Sequence, residues 1–468
     1  MSDTEYDFLI IGGGSAGYAA AAAAAGLGLK TGVIEGAEEV GGLCILRGCM
    51  PSKTLLESGH RAEAIRNAGE FGLRAEYRGA DAIAIRDRKR RLIAEFADHR
   101  RQQLEGGRFD FIRGRAAFSG PQEIEVSLLK GGSRTIRSRA FLVATGSSIQ
   151  IPSIPGLADT GFITSDDALD AERIPESIII LGGGAIALEL ASFYAGIGSR
   201  VTVVQRSSQV LKEMDEDVAD SLTAAMEKRG VVFFRNTELR MVRREGAGKR
   251  VEFLHAGVER FVEAGEVLCA LGRKPNTHGL GLELAGVPVA RTGVQTNARQ
   301  QSQQPHIFAA GDVCGPHEVV HIAIQQGELA ARNAARLLHR LPGELEAIDF
   351  GLKLYVVFTH PEVASIGLTE HEAALLRYDL RVAKYLFADL GKALVRGATD
   401  GFVKLLTEER TRRILGAACV GVDASEIIHE IAVAMYFGAT AGDLARVPHY
   451  HPTVSEIWTY PAEELALG

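Results

Sequence analysis

The chain contains one short pattern twice, and this repeat restricts the folds that it can adopt. An apolar run rich in β-forming residues leads into three glycines and then an apolar helical segment, first from residue 8 and again from residue 178. In both copies a second apolar run ends at a polar residue, Glu35 or Gln205, at the same separation from the first glycine, Gly12 or Gly182. A strand, a glycine turn, a helix and a polar strand end about 20 residues further on are typical of a βαβ nucleotide-binding unit, in which a pyrophosphate lies at the helix N-terminus. The sequence therefore predicts two nucleotide-binding domains.

Length and charge limit the remaining classes of protein. The 468 residues are too many for one hydrophobic core and indicate about three domains. A formal net charge of −7 gives no reason to expect nucleic acid as a partner. The acidic N-terminus lacks the basic start of a signal or transit peptide. Residues 177–198 are largely apolar and long enough to cross a bilayer, but their three adjacent glycines and Glu189 favour a buried strand, turn and helix. We therefore expect a cytoplasmic protein without a membrane partner.

Cys44 and Cys49 lie shortly after the first glycine turn, with four residues between them. A disulfide that closes so small a loop stabilises a fold little through chain entropy, so reversible opening explains the pair better than a structural role. Pro51 suits the first turn of a helix, and a helix N-terminus favours a thiolate nearby. A zinc site would need further thiol or imidazole ligands at suitable spacing. The pair therefore predicts redox chemistry at a disulfide, and no metal site is expected.

Other segments predict ordinary helices and strands. Residues 86–105 combine many arginines and lysines with interleaved apolar residues, which predicts an amphipathic helix with a solvated basic face; a basic docking surface is the alternative. From residue 351 onward, strands at 354–358 and 402–406 and a helix at 425–436 predict a separate α+β domain. The remaining cysteines are expected to be small buried residues: Cys269, Cys314 and Cys419.

A possible general base lies near the C-terminus. His451 precedes Pro452, and Glu456 follows five positions after the histidine. If the loop between them turns back, the carboxylate can orient the imidazole, and such a pair is a suitable base for a thiol at neutral pH. From this segment alone, a surface histidine without a catalytic role is the alternative.

Together these motifs resemble those of the FAD- and disulfide-containing pyridine nucleotide oxidoreductases, the family of dihydrolipoamide dehydrogenase, glutathione reductase and mercuric reductase. The resemblance extends over nearly the whole chain. Besides the two glycine turns, it rests on these motifs: Cys44 and Cys49 before Pro51-Ser52-Lys53, Ala144-Thr145-Gly146, Gly272-Arg273-Lys274-Pro275-Asn276, Ala310-Gly311-Asp312, Pro361-Glu362-Val363-Ala364 and His451-Pro452-Thr453 through Glu456.

The resemblance implies an α/β fold with two Rossmann-like domains, one for FAD and one for NAD(P), and a C-terminal α+β dimerisation domain. The implied boundaries are 1–148 for the first part of the FAD-binding domain, 149–275 for the NAD(P)-binding domain, 276–345 for the second, central part of the FAD domain and 346–468 for the dimerisation domain. The implied assembly is a homodimer.

The resemblance also implies cofactor contacts. Glu35 would bind the adenosine ribose of FAD, Ala116 the adenine through its backbone, and Asp312 the ribityl or phosphate region. Lys53 would lie near the flavin N5 and pair with Glu189. The other implied FAD contacts are Gly12, Gly14, Gly17, Thr145, Gly146 and Ala323, and the implied NAD(P) contacts are Gly182, Gly184, Ala187, Gln205, Arg206 and Gly272.

The catalytic residues that the resemblance implies are Cys44, Cys49, His451 and Glu456. Cys49 would be the thiolate next to the flavin, and Cys44 would exchange with the substrate. The His451–Glu456 pair would reach across the dimer interface to the disulfide of the second subunit, so that a monomer would be inactive.

Several residues bear on the branch of the family. Mercuric reductases usually end in a cysteine pair, which this C-terminus lacks, and glutathione reductases usually show two lysines where Ser52-Lys53 stands here, as in dihydrolipoamide dehydrogenases. Dihydrolipoamide dehydrogenases, however, usually carry Thr and Asn-Val where this chain has Leu43 and Leu46-Arg47. Arg47 either favours a thiolate or recognises an anionic substrate, or it pairs with a structural carboxylate.

The nicotinamide side departs from that branch as well. Gln205-Arg206 stands where NAD enzymes usually carry an acidic residue, and this permits NADP(H), although the branch points to NAD. Ala185 stands where some relatives place a gating tyrosine.

We therefore predict an enzyme that transfers electrons between a dithiol, namely dihydrolipoamide, free or on a lipoyl carrier protein, and NAD(P)+. The alternative enzyme is an NADPH-dependent reductase of another low-molecular-weight disulfide. The alternative class is a binding or scaffold protein in which FAD and nicotinamide are only structural ligands; the intact dithiol and the His–Glu pair argue against it.

Overall fold

The computed structural model describes residues 4–467, which form a mixed α/β protein of two compact units. The strands, in chain order, are β1 (Thr4–Ile11), β2 (Thr31–Glu35), β3 (Asp110–Gly120), β4 (Glu123–Leu128), β5 (Ser133–Val143), β6 (Ser147–Ile149), β7 (Ser177–Leu181), β8 (Arg200–Val204), β9 (Val232–Phe234), β10 (Thr237–Glu245), β11 (Gly248–His255), β12 (Val258–Ala264), β13 (Glu266–Cys269), β14 (Arg273–Pro275), β15 (Val289–Ala290), β16 (Gly293–Val294), β17 (Ile307–Ala309), β18 (Leu354–Val357), β19 (Glu362–Gly367), β20 (Leu380–Leu386), β21 (Phe402–Glu408) and β22 (Ile414–Gly421).

The α-helices are α1 (Ser15–Gly26), α2 (Gly42–Leu46), α3 (Cys49–Arg66), α4 (Ala82–Glu105), α5 (Leu157–Thr160), α6 (Ser165–Leu169), α7 (Ala185–Gly196), α8 (Glu216–Lys228), α9 (Val320–Leu337), α10 (Glu370–Leu375), α11 (Gly391–Arg396), α12 (Ala424–Tyr436), α13 (Ala441–Ala445) and α14 (Thr459–Leu467). Short 3-10 helices lie at Ala68–Phe71, Gly311–Val313, Phe387–Asp389 and Ser455–Trp458.

The first unit comprises the chain up to Pro51, Arg88–Gln150 and Arg273–Asp349. Its six-stranded sheet has β1 between β2 and β5, with β3 beyond β2 and β17 beyond β5, all in parallel pairs. Strand β4 pairs antiparallel with both β3 and β5. This arrangement places the carboxyl ends of the parallel strands, where the glycine turn and Glu35 lie, at one edge of the sheet.

Both faces of this sheet are covered, which is why the second half of β1, residues 8–11, is a continuous apolar run rather than an alternating one. Phe8 and Ile10 pack into one core with the alanines of α1 and α9, whereas Leu9 and Ile11 pack into a second core on the opposite face. Helices α1 and α9 make close backbone contact, since a Cβ at Gly327 would lie 2.3 Å from the carbonyl oxygen of Ala16.

The second unit comprises Ser52–Asp87, Ile151–Gly272 and the chain from Phe350 onward. It repeats the parallel pattern in the sheet β13-β7-β8-β9, and the antiparallel sheet β10-β11-β12 belongs to the same unit. Ile178 and Ile180 of β7 pack into one core, and Ile179 and Leu181 pack into another. Residues 177–198 thus form a strand, a glycine turn and a helix, as predicted.

The C-terminal part of the second unit is a five-stranded antiparallel sheet in the order β18-β19-β22-β21-β20. Helices α12, α13 and α14 contribute to a core that is centred on the fully buried Trp458. The indole Nε1–H of Trp458 donates to the carbonyl oxygen of Ile427 (3.0 Å), which fixes the C-terminal segment to α12. The predicted α+β character of this region is confirmed, and its strands and helix end within a few residues of the predicted positions.

Further predictions concern helix α4, the remaining cysteines and membrane spans. The predicted solvated basic face of residues 86–105 is wrong for three of its cations, because Lys89 is 4% exposed, the Arg86 side chain is 13% exposed and Arg100 is only partly exposed. The remaining cysteines are buried as expected: Cys269, Cys314 and Cys419. Within residues 4–467 there is no helix long and apolar enough to span a bilayer. The four-segment domain division stays a prediction.

Candidate active site

The glycine turn after β1 allows a backbone conformation that other residues would block. Gly12 has a φ of +110°, and a Cβ there would lie 2.3 Å from the carbonyl oxygen of Ala144; a Cβ at Gly17 would lie 1.9 Å from the carbonyl oxygen of Gly12. Gly14 occupies the N-cap of α1 and has no side chain to cap the first turn. The first N–H groups of α1 therefore have no side-chain cap, and an anion such as a pyrophosphate is a suitable acceptor for them.

Glu35 is held rigidly at the end of β2. Its Oε2 accepts a hydrogen bond from the N–H of Gly13 (2.9 Å), and its Oε1 accepts one from the N–H of Ala37 (2.8 Å). Each oxygen keeps a lone pair for a further donor. A carboxylate fixed beside a glycine turn is the arrangement that binds ribose hydroxyls, so the first βαβ unit fits the adenosine part of FAD.

The β5–β6 turn and the loop after β17 form the other side of the predicted FAD site. Thr145 Oγ1–H donates to the carbonyl oxygen of Asn276 (2.7 Å), and Asn276 Nδ2–H donates back to that of Thr145 (3.0 Å). Ser147 Oγ–H donates to Asp312 Oδ2 (2.6 Å), and Arg273 Nε–H donates to Ser147 Oγ (2.8 Å). Asp312 is thus held in one orientation by residues that the sequence motifs did not assign.

The remaining predicted FAD contacts are small residues around these turns. Gly146 has a φ of +69°, and Ala323 of α9 packs near Gly311, where a Cβ would lie 3.4 Å from the Ala323 Cβ. The N–H of Gly311 donates to Gln326 Oε1 (2.8 Å), a buried contact that the motifs did not predict. Ala116 is buried in β3 opposite Val126 of β4.

The dithiol segment packs directly on the first glycine turn. Cys44 lies in α2, Cys49 is the first residue of α3, and both are partly exposed. Gly42 has a φ of +74°, and a Cβ there would lie 2.7 Å from the Cα of Gly14, so the segments touch backbone to backbone. The position of Cys49 at a helix N-terminus favours its thiolate.

Arg47, between the two cysteines, pairs with a carboxylate. Its Nη2 lies 2.7 Å from Glu39 Oε2, and the side chains are 50% and 61% exposed. An ion pair this exposed is worth little to stability. The structure thus contains the pairing that was one of the alternatives for Arg47, and its effect on substrate binding stays a prediction.

Lys53 and Glu189 form the predicted ion pair in the second unit. Lys53 Nζ lies 2.9 Å from both oxygens of Glu189, whose side chain is 7% exposed. Glu189 Oε1 also accepts a hydrogen bond from the N–H of Phe358 (3.0 Å), and Lys53 Nζ stands 4.5 Å from the centre of the Phe358 ring. Lys53 lies one turn after Cys49 on α3, so this pair fixes a positive charge on the helix that begins with Cys49.

The second glycine turn repeats the first with one chemical difference. Gly182 has a φ of +121°, a Cβ there would lie 2.4 Å from the carbonyl oxygen of Ala270, and Gly184 is the N-cap of α7. Gln205 packs under Gly183, where Glu35 lies under Gly13 in the first unit, and a Cβ at Gly183 would be 2.9 Å from the Gln205 amide carbon. The turn therefore fits a pyrophosphate, but it lacks a carboxylate for a ribose 2′-hydroxyl.

The other predicted nicotinamide contacts differ in exposure. Arg206 is exposed and has no hydrogen bond or ion pair within residues 4–467, Ala187 is buried in α7, and Gly272 has a φ of +114°. An exposed guanidinium beside Gln205 suits a 2′-phosphate.

His451 and Glu456 are brought together as expected. His451 Nδ1–H donates to Glu456 Oε2 (3.0 Å), so the Nε2 atom carries the basic lone pair. The His451 side chain is 77% exposed, whereas that of Glu456 is 9% exposed. The hydroxyl of Thr453 accepts from the N–H of Glu456 (3.3 Å), which holds the connecting loop.

A second histidine–carboxylate pair lies beside the first and was not predicted. His449 Nε2 lies 2.7 Å from Glu430 Oε1, and Thr459 Oγ lies 3.1 Å from His449 Nδ1. Burial raises the pKa of Glu430, and the nearby His449 partly offsets this. The pair ties the loop that carries His451 to helix α12. The presence of His449 two positions before His451 was the feature of the sequence that could have predicted this second pair.

Comparisons with known proteins find relatives over nearly the whole chain. Residues 6–327 match the pyridine nucleotide-disulphide oxidoreductase family, and residues 354–462 match the dimerisation domain of that family. The chain is 35% identical to a dihydrolipoyl dehydrogenase of Thermus scotoductus, over 98% of this chain and 97% of that protein. It is 34% identical to a mercuric reductase of Staphylococcus aureus, over 94% of this chain and 79% of that protein.

Among solved structures, the chain is similar to the Cu(II) complex of the HOCl-induced flavoprotein disulfide reductase RclA of Escherichia coli. The TM-score is 0.86 at 27% sequence identity, and the match covers 99% of this chain and 100% of that one.

Proposed function

The chain belongs to the pyridine nucleotide-disulphide oxidoreductase family, and we propose that it transfers electrons between dihydrolipoamide, free or on a lipoyl carrier protein, and NAD(P)+. The family is FAD-dependent and uses NAD(P) as its electron partner. The observation that carries the choice of a dithiol substrate is the His451–Glu456 hydrogen bond of 3.0 Å, because a thiol must lose its proton before it can attack a disulfide.

In the proposed reaction the side chains move both thiol protons and exchange two sulfur bonds. His451 Nε2 takes the proton of one substrate thiol, and that thiolate attacks Cys44 Sγ of the oxidised pair. The Cys44–Cys49 bond breaks, and Cys49 leaves as a thiolate at the N-terminus of α3. The protonated imidazole then gives its proton to Cys44 Sγ and takes the proton of the second substrate thiol, whose sulfur attacks the substrate sulfur that is bonded to Cys44. The Cys44–substrate bond breaks, the substrate disulfide closes, and Cys44 is left as a thiol and Cys49 as a thiolate. The flavin, when bound, carries this electron pair from the cysteines to the nicotinamide.

A homodimer is part of the proposal. The family's dimerisation domain covers residues 354–462, and large apolar side chains lie exposed on this part of the chain. They include Tyr436, Phe437 and Tyr450, which are 71%, 78% and 84% exposed. Large exposed apolar side chains of this kind are expected at a protein–protein interface. We propose that His451 serves the Cys44 of the second subunit.

The proposal is tested by a steady-state panel on the flavin-loaded protein. Dihydrolipoamide is paired with NAD+ and with NADP+, and oxidised glutathione is paired with NADPH. Turnover of dihydrolipoamide is expected, together with a long-wavelength thiolate–flavin charge-transfer band on NAD(P)H addition that Cys49→Ser removes. Turnover of glutathione alone would refute the choice of branch.

The second candidate is an NADPH-dependent reductase of another low-molecular-weight disulfide. It is favoured by Gln205 and Arg206, which offer no carboxylate to a ribose 2′-hydroxyl and a cation to a 2′-phosphate. The same panel separates the two candidates. Only the reductase predicts that reduction of a disulfide by NADPH is faster than oxidation of a dithiol by NAD+ or NADP+ with every substrate.

A further inference from the structure

Arg100 lies on the inner side of helix α4, and no anion balances its charge within residues 4–467. Its Cζ stands 4.2 Å from the centre of the Tyr18 ring. Its Nε and Nη1 atoms are shielded from solvent and have no hydrogen-bond partner. A guanidinium stays charged at neutral pH, and burial of its donors without acceptors lowers the stability of the folded protein. Such donors are expected where a ligand supplies the missing acceptor.

Backbone packing brings Arg100 close to the segment of the cysteine that is proposed to exchange with substrate. The N–H of Tyr18, whose ring lies against the guanidinium, donates to the carbonyl oxygen of Gly14 (2.9 Å), and Gly14 touches Gly42, two residues before Cys44. Burial lowers the pKa of Arg100, and the nearby Tyr18 and Cys44 offset only part of this effect. The other arginine of this region, Arg47, has Glu39 beside it at 2.7 Å. Arg100 is therefore a positive charge near Cys44 that no carboxylate of its own unit offsets.

We propose that Arg100 determines substrate specificity, because its guanidinium binds a carboxylate of a small dithiol or disulfide while the substrate sulfur reacts with Cys44. This inference rests on the proposed function and refines its substrate class. The Tyr18 ring holds the guanidinium in one plane by a cation–π contact, so the anion site is preorganised. Neutral dithiols would still react at Cys44, but without the charge-assisted hydrogen bond.

The flavin pyrophosphate is the other anion expected in this unit, and the placement of α4 favours the substrate. Leu104, one turn after Arg100, is the α4 residue beside the pyrophosphate turn, since its Cδ1 would lie 3.5 Å from a Cβ at Gly13. Arg100 instead faces Tyr18, which lies in α1 beyond that turn. The two anions predict different outcomes when the charge is removed.

The first experiment compares two substrates that differ only in charge, dihydrolipoate and dihydrolipoamide. In Arg100→Gln the ratio of their kcat/KM values is expected to fall about tenfold, with the loss in KM for dihydrolipoate, and Arg100→Lys is expected to restore most of it. The matched control is Arg101→Gln, because Arg101 is exposed on the same helix and pairs with Asp98 (2.8 Å). It should leave the ratio unchanged.

The second experiment reads the charge at Cys44 without turnover. In a Cys49→Ser background, alkylation of Cys44 is timed with anionic iodoacetate and with neutral iodoacetamide. The iodoacetate-to-iodoacetamide rate ratio is expected to exceed that of a small thiol in solution several-fold and to drop in Arg100→Gln. The comparison between Cys44 and a small thiol in solution needs no Arg100 variant, so it tests the inference even if Arg100→Gln fails to fold.

Two results would overturn the inference. One is an unchanged rate ratio for either pair of probes. The other is loss of bound flavin from Arg100→Gln, measured as the ratio of flavin to protein absorbance, with both substrates slowed equally; this would assign Arg100 to the pyrophosphate. Either result leaves the proposed function standing if the wild-type protein oxidises both dithiols, whereas a wild type that oxidises neither refutes the proposed function itself.

Discussion

Replacing Lys404 with methionine is expected to destabilise the second unit strongly. Lys404 is fully buried in β21, and its Nζ lies 2.6 Å from Asp215, 2.8 Å from Asp217 and 2.7 Å from Glu370. Burial alone would lower the pKa of Lys404, but the hydrogen bonds to these carboxylates outweigh it and raise the pKa. The ammonium occupies the centre of the acidic cluster, whose oxygens lie within 4.8 Å of one another.

The magnitude follows from what the substitution leaves behind. Methionine fills the space of the lysine stem, so a cavity contributes little, but three carboxylates then lose the cation that they share. Only the partly exposed Lys384 still pairs with one of them, Asp217. Removal of one partner of a buried ion pair costs about 3–5 kcal/mol. Asp217 and Glu370 are 28% and 44% exposed and regain some hydration, which favours the lower end. We expect the free energy of unfolding to fall by about 3 kcal/mol.

Trp458 provides the assay, because it is the single tryptophan of the chain and is fully buried in the core of the same C-terminal sheet. Urea unfolding is followed by its fluorescence in the flavin-loaded protein, in wild type and in Lys404→Met. The control is Lys384→Met, since Lys384 also pairs with Asp217 (2.6 Å) but is 44% exposed, and we expect a loss of at most about 1 kcal/mol there. Equal losses in the two variants would contradict the reasoning.

The pH dependence gives a second check. Burial would raise the pKa of Asp217, but hydrogen bonds from Lys384 and Lys404 outweigh it and lower the pKa below its ordinary 3.8. Its contribution to stability is therefore present above 3.8 and lost as pH falls through the lower, folded value. The raised pKa of Lys404 acts oppositely, so its contribution is present below 10.5 and lost as pH rises through the higher, folded value. The difference between wild type and Lys404→Met should be largest between these limits and shrink in acid; a constant difference would refute it.

Three further predictions concern catalysis and assembly. His451→Gln is expected to slow dihydrolipoamide oxidation by about 100-fold or more while NAD(P)H still reduces the flavin, which stopped-flow absorbance measures; equal loss of both steps would contradict a role as base at the dithiol. Arg206→Gln is expected to raise the KM for NADPH about fivefold and leave that for NADH unchanged, and a parallel change in both would refute 2′-phosphate recognition. Phe437→Glu is expected to yield monomers by light scattering, without dithiol activity; an intact dimer would show that this apolar surface is not the interface.

Sequence reasoning predicted those parts of the protein that depend on local pattern. Both glycine turns are recognisable because a strand, a positive-φ glycine and a helix follow one another directly, and Glu35 lies at the end of the very next strand. Which residues of β1 share a face could not be predicted, because residues 8–11 are all apolar and pack into cores on both faces of the sheet.

The cluster around Lys404 lay beyond sequence reasoning. Lys404 and Asp215 are 189 positions apart, and neither stands in a recognisable motif, so only the packing of α8 against the C-terminal sheet brings them together. Arg100 was misjudged for a different reason. Its neighbours in sequence are charged. However, Ile93, seven positions before it, and Leu104, four positions after it, lie on the same face of the helix and are buried. The helical period therefore indicated the inner side of α4, whereas the local charge density indicated solvent.

The backbone contact between Gly14 and Gly42 has a consequence for electron transfer. No side chain separates the nucleotide turn from the dithiol segment. The direct backbone contact therefore sets the distance between the two cysteines and the nucleotide-binding turn. Even a single methyl group at position 42 would act as a spacer and lengthen the path that the electron pair must cross. A substitution at Gly42 should thus change the rate of electron exchange while leaving the ligand-binding residues chemically intact.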